Sequence, residues 1–163
     1  MNNNTAIAQI CLNGDIVNTN CVNHPEKSKS RCPKCNEKTI NRCPHCSHPI
    51  KGWEDTNIIT FKPRRVPNCC DVCDEPYPWI KRALDELMRH IISAENLDDT
   101  EKSELVSFIK DGICGRRINF VAEAPFVVLI AKCDDILRNE LQKFANKHIV
   151  PDPLKQLILR NLP

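Results

Sequence analysis

Cys32-Pro33-Lys34-Cys35, Cys43-Pro44-His45-Cys46 and Cys70-Asp71-Val72-Cys73 crowd three Cys-x-x-Cys turns into about a quarter of the chain. A Cys-x-x-Cys turn aims two thiolates at one point, and two such turns facing each other complete the tetrahedral shell of a structural zinc. Three of them so close together predict a zinc-binding scaffold. The residues after each second cysteine are Asn36, Ser47 and Asp74. Asn and Asp tolerate the left-handed backbone that closes such a knuckle when glycine is absent.

Three knuckles supply six thiolates, whereas two zinc ions need eight ligands. The deficit is made up upstream, where Ala6 to Ile10 reads as a strand, Cys11-Leu12-Asn13-Gly14-Asp15 as a ligand-bearing turn, and Ile16-Val17 as the returning strand. Cys11 is the natural seventh ligand, and Asp15, Cys21 or His24 the eighth. One site is therefore expected from Cys11, Asp15, Cys32 and Cys35, and the other from Cys43, Cys46, Cys70 and Cys73. A different pairing, with Cys32, Cys35, Cys43 and Cys46 in one site and Cys70 and Cys73 closing on Cys11, is open to the same residues. Cys69 lacks the two-residue spacing to Cys73 that Cys70 has, and His45 and His48 read as exposed turn residues. Between the knuckles, His24 to Arg31 reads as a solvated loop, Lys38 to Ile40 as a short strand, Pro49 to Trp53 as a tight hairpin turn, and Ile58 to Phe61 as a strand.

The chain has 163 residues, eleven cysteines and twelve prolines; nine of the cysteines lie at or before Cys73 and eight of the prolines at or before Pro78. The second half instead carries apolar residues at helical spacing. The expected fold class is α+β: a small N-terminal double zinc ribbon of short β-hairpins over residues 1–79, followed by a C-terminal α-helical region over 80–163. In the second part Ile80, Leu84, Leu87, Met88, Ile91 and Ile92 mark one helix. Asp98 and Glu101 form a capping box for the next, which Gly112 and Gly115 stop. Pro125 opens a third helix, Asp134 begins a fourth bearing Ile136, Leu137, Leu141 and Phe144, and Asp152 caps a last one that starts at Pro153.

The segment Met1 to Cys11 has no charged, apolar and small-residue signal pattern, so a cytoplasmic setting is expected, in which grouped cysteines serve as metal ligands rather than disulfides. No apolar run exceeds Phe126 to Ala131, far short of the ~20 residues of a membrane span. Before residue 80 there are ten Lys and Arg against eight Asp and Glu; beyond it there are thirteen of each. Two bound dications set against seven new thiolates would move the first part from +2 to near −1, which disfavours a phosphate-binding surface.

The combination of Ile10 to Gly14, the paired knuckles, Pro49 to Gly52, and Pro76-Tyr77-Pro78-Trp79 resembles an uncharacterised bacterial zinc-ribbon family, domain of unknown function 2321. The likeness is specific over Ile10 to Trp79 and looser through Leu97 to Val106. It implies the ribbon fold and carries no activity. Members of that family are expected to have histidine where this chain has Asp15, and carboxylate oxygen is an allowed but less common structural ligand.

The functional expectation is a zinc-stabilised adaptor or regulatory protein that binds another macromolecule, most simply a protein, with two structural Zn2+ ions and no membrane. The alternative is nucleic-acid binding through Lys62, Arg64 and Arg65 beside Phe61, extended by Lys27, Lys29 and Arg31, with Trp53 stacking on a base. A zinc-dependent or thiol redox enzyme is a third reading, for which no Gly-rich phosphate loop, His-Glu helix motif or catalytic constellation is in view; Cys114 and Cys133 read as structural thiols.

Overall fold

The computed structural model describes residues 6–53, 66–115, 120–147 and 150–162, without the side chains of 120–122. The chain divides into two compact units, residues 1–79 and 80–163. The first is built on an antiparallel sheet with order β2-β1-β3, where β1 is Gln9–Cys11, β2 is Ile16–Asn18 and β3 is Thr39–Ile40. The expected hairpin is present: β1 and β2 pair as Gln9 with Asn18 and Ile10 with Ile16, with an irregularity between Gln9 and Ile10. On its other edge β1 pairs Ile10 with Ile40 and Cys11 with Thr39.

Pro49 to Trp53 is not the tight hairpin turn that its Pro and Gly suggest. It is extended backbone that resumes the pairing β3 began, with Ile7 opposite Lys51, Ala8 N–H donating to Ile50 O at 2.9 Å, and Gly52 N–H to Ala6 O at 2.7 Å. Three residues along β1, from Ile10 back to Ile7, are matched by eleven on the partner, from Ile40 to Lys51, so eight residues are extra. Those eight are the knuckle 42–49, pinched off where Arg42 meets Pro49 and Ile50 N–H donates to Asn41 O at 2.9 Å. The second knuckle is thus an excursion from a strand that continues on its far side. Gly52 is required there by space, since a Cβ would lie 2.2 Å from Thr19 O and 2.6 Å from Ala8 N.

Ala8, Ile10 and Ile50 are fully buried in this unit. Buried Asn18 and Asn20 take the place of a larger core beside them. Asn18 Nδ2 donates to His24 O at 2.7 Å and Ser28 Oγ at 3.0 Å, and Asn20 Oδ1 accepts from Val22 and Asn23 N–H. The loop His24 to Arg31 is largely exposed, as expected, with a single 3-10 turn at Pro25–Lys27. Trp79 packs over Gly14, stacks on Tyr77 with centroids 4.8 Å apart, and donates from Nε1 to Pro67 O at 3.1 Å. The strand expected at Ile58 to Phe61, and Lys62, Arg64 and Arg65 with it, lie outside the described residues.

The second unit is helical: α1 (Pro78–Ser93, opening at the end of the first unit), α2 (Asp99–Ile113), α3 (Phe120–Lys132), α4 (Asp135–Ala145) and α5 (Asp152–Asn161). The capping box is formed, Asp98 Oδ1 accepting from Glu101 N–H at 2.8 Å and Glu101 Oε2 from Asp98 N–H at 3.1 Å. Asp134 caps α4 by accepting from Leu137 N–H at 2.8 Å.

Four local expectations are corrected. Gly112 lies inside α2 rather than ending it; its bare Cα lets Leu154 of α5 come close, a Cβ being 3.0 Å from the Leu154 methyls, and Gly115, at φ +75°, follows the helix end. Pro125 lies within α3, which begins five residues earlier at Phe120; the missing proline N–H removes one helical bond without stopping a strongly apolar helix. Pro151, not Asp152, is the N-cap of α5, so Asp152 and Pro153 fill its first turn. Finally Ile92 and Ile136 are exposed, at 64% and 70%, while Ile80, Leu84, Leu87, Ile91, Leu137, Leu141 and Phe144 are buried. Phe108 and Phe126 stack at 4.0 Å between α2 and α3.

Replacing Gly52 by alanine forces backbone segments apart and is expected to cost about 1–3 kcal/mol, the overpacking range. Asp98→Ala should cost about 1 kcal/mol, the worth of a cap. Hydrogen exchange separates the two: G52A should lose protection in residues 6–53 and D98A in α2, and the reverse pattern would contradict this account.

Candidate metal centres

Each Cys-x-x-Cys closes in the same way. Cys32, Cys43 and Cys70 N–H donate to the carbonyls of Glu37, His48 and Glu75, and their own carbonyls accept from Asn36, Ser47 and Asp74 N–H, at 2.8 to 3.0 Å throughout. Asn36, Ser47 and Asp74 all adopt φ between 58° and 62°, the left-handed conformation expected of the Asn and Asp and shared by the serine. Arg31 and Arg42, each directly before a knuckle, donate from Nη1 to the carbonyls of Asn36 and Ser47 at 2.9 and 3.1 Å. The sequence reading placed Arg31 on a basic surface and missed this role. Its signal was the repeat Arg-Cys-Pro-x-Cys, eleven residues apart.

Two clusters result, Cys11-Asp15-Cys32-Cys35 and Cys43-Cys46-Cys70-Cys73, with the donor atoms of each within 4.8 Å of one another. The structure brings together the eight residues named from sequence, in the first of the two pairings; among the described residues no cluster has the crossed pairing. In the first cluster Cys11 Sγ lies 3.8 Å from Cys35 Sγ and 3.6 Å from Asp15 Oδ2, and Cys32 Sγ lies 3.8 Å from that same oxygen. In the second, Cys43 and Cys73 are 3.7 Å apart and Cys46 and Cys70 3.5 Å. A tetrahedron with metal–sulfur bonds of about 2.3 Å has edges of about 3.8 Å, so the donors stand where the corners of a zinc shell belong. A disulfide needs about 2.05 Å, which excludes that chemistry within either cluster.

Of the alternative eighth ligands, only Asp15 is in place. Cys21 Sγ accepts from Asn41 Nδ2 at 3.8 Å, and His24 faces Glu26 at 3.4 Å. His48 lies 3.8 Å from Asp71, outside the cluster. Cys69 and Cys114 join neither cluster and carry no free thiol, so Cys114 is not the thiol expected of it. Cys133 is a free, buried thiol donating to Leu129 O at 3.2 Å.

The surroundings prepare the donors unequally. Burial pushes the Cys11 thiol up to about 12. Burial also opposes ionisation of Cys70, yet the N–H groups of Cys73 and Val72 outweigh it and bring that thiol down to about 7. At Asp15 burial again raises the pKa but is overcome by Lys34, whose Nζ is 3.4 Å from Oδ1, and by Cys11, so the carboxyl sits below its ordinary range. A second neighbour, Asn13, donates from Nδ2 to Cys35 Sγ at 3.5 Å. Neither Lys34 nor Asn13 was singled out from sequence, since both act on ligands rather than as ligands.

Short strands tied by cysteine knuckles, followed by a separate helical unit, define a ribbon-plus-helices protein with two sites competent to hold metal. The chain belongs to the family described as uncharacterized protein conserved in bacteria (DUF2321), whose model matches residues 4–153. No curated protein and no solved structure matches it. Among the described residues no helix is long and apolar enough to cross a membrane.

Metal release should follow acid. Asp15 has a depressed pKa, so its contribution is present above the ordinary carboxylate pKa and lost as pH falls through the lowered value; thiolate ligands act in the same direction because protons compete with metal. Native mass spectrometry across falling pH should show metal loss together with unfolding of residues 6–53. Cys43→Ser or Cys70→Ser should each remove one metal equivalent, and retention of both would contradict the ligand assignment.

Proposed function

We propose that each cluster holds one structural Zn2+ and that the zinc-stabilised N-terminal unit is an adaptor or regulatory module that binds another protein in the cytoplasm. The observation that carries this reading is that protein donors fill all four corners of both sites. A catalytic zinc keeps one position for water or substrate, whereas a closed shell holds a surface in shape. Strands of two or three residues have little core of their own, and bound metal replaces it.

A protein partner is favoured over nucleic acid by how the cations are used. Arg31 and Arg42 donate to knuckle carbonyls, Lys34 faces Asp15, and the metal-loaded charge near −1 offers phosphates little attraction. At the tip of the third knuckle the apolar side chain of Val72 is 60% exposed.

Protein purified without added metal should carry two zinc ions by native mass spectrometry. Affinity purification after cross-linking in bacterial cells should enrich a specific protein with the parent chain and lose it with Val72→Asp, whose zinc content stays at two. Enrichment of RNA or DNA instead, with a steep salt dependence, would replace this reading by the nucleic-acid one.

A further inference from the structure

The two clusters share a geometry and differ in one donor and in how that donor is delivered. In Cys43-Cys46-Cys70-Cys73 both halves are closed knuckles, each with one buried thiol and a left-handed residue locking the turn. In Cys11-Asp15-Cys32-Cys35 one half is a knuckle and the other the turn 11–15, where Gly14, at φ +92°, takes the left-handed position and the second ligand follows it as a carboxylate. Carboxylate oxygen is a harder donor than thiolate, and zinc, a borderline-soft ion, is held less firmly by it.

Asp15 also has somewhere to go. Its Oδ2 faces Cys11 and Cys32 while Oδ1 faces Lys34 Nζ at 3.4 Å. The Asp15 side chain is 31% exposed and that of Lys34 is 74% exposed. A carboxylate that leaves the metal therefore keeps its charge paired by the ammonium and opens a solvent-facing corner of the tetrahedron. Among the described residues no Lys or Arg side chain pairs with a donor of the other cluster, whose sulfurs face one another.

We infer that the Cys11-Asp15-Cys32-Cys35 cluster is the exchangeable metal site of this protein, and that Asp15 is the first ligand displaced when a competing thiol or chelator takes the ion. This rests on the zinc reading given above. With an ion held there, a bond to the competitor would form as the Asp15 Oδ2–metal bond breaks, the bonds to Cys11, Cys32 and Cys35 would then give way in turn to the competitor's further donors, and no electron changes hands. The Cys43-Cys46-Cys70-Cys73 ion stays in place during this step and keeps the rest of the ribbon folded.

The test uses the full chain in its two-zinc form. The protein is mixed with 4-(2-pyridylazo)resorcinol, a chromophoric chelator, and aliquots are alkylated with N-ethylmaleimide and mapped by peptide mass spectrometry. One zinc equivalent should leave roughly 10–100-fold faster than the other, the range that changes around a metal site commonly produce. The one-zinc species should be alkylated at Cys11, Cys32 and Cys35 and protected at Cys43, Cys46, Cys70 and Cys73. Asp15→Cys should abolish the fast phase, and Asp15→His, the second variant, should slow it. Release of both equivalents at one rate, labelling of the other cluster first, or a fast phase unchanged in both variants would overturn the inference while leaving two structural zincs standing. Parent protein isolated without zinc, with all seven thiols labelled at once, would instead remove the zinc reading beneath it.

Discussion

Sulfur atoms that approach within 3.5 to 3.8 Å as thiolates repel one another unless a cation stands between them, and the first unit is arranged around that constraint. Thiols that keep their protons, as burial favours at Cys11, avoid that repulsion but gain little from being gathered. A dication held between them would turn the same proximity from repulsive to attractive and make anchors of the seven thiolates. The knuckle hydrogen bonds, the three left-handed residues and the guanidinium clasps of Arg31 and Arg42 all serve to deliver donors to those corners.

The two units solve the same problem by different means. In the helical unit, stacked Phe108 and Phe126 and the buried faces of α2, α4 and α5 form an ordinary apolar core, with caps at Asp98 and Asp134 setting where helices begin. The first unit has a sheet too short to persist on hydrogen bonds alone. It adds a buried asparagine network and the Trp79–Gly14 contact, and the remaining constraint falls to the clusters.

Much of this was legible because it is local. Cys-x-x-Cys spacing depends on a four-residue turn, and the capping box at Asp98 and Glu101 on one helical turn, so neither needs knowledge of the fold. What was misread depends on distant partners. Pro49 to Gly52 has the composition of a turn, but its conformation is decided by residues 6–8, more than forty positions away. Gly112 reads as a helix stop until Leu154 is seen to need the space, and Pro125 as a helix start because sequence weighs proline locally. Ile92 and Ile136 fit helical spacing to within one position, and a turn of 100° per residue is enough to carry such a position out of the core. Lys34 was invisible as a neighbour of Asp15 because the two are nineteen residues apart.

The knuckle 42–49 also bears on tolerance of length. A loop that leaves a ladder between two paired residues does not transmit the alternation of faces, because the residue that re-enters is set by its own partner; the same sheet absorbs a one-residue irregularity between Gln9 and Ile10. Ile50 re-enters fully buried, donating to Asn41 O and accepting from Ala8 N–H. The sheet therefore leaves the length of the excursion open, and what fixes it is the reach of Cys43 and Cys46 to their corners.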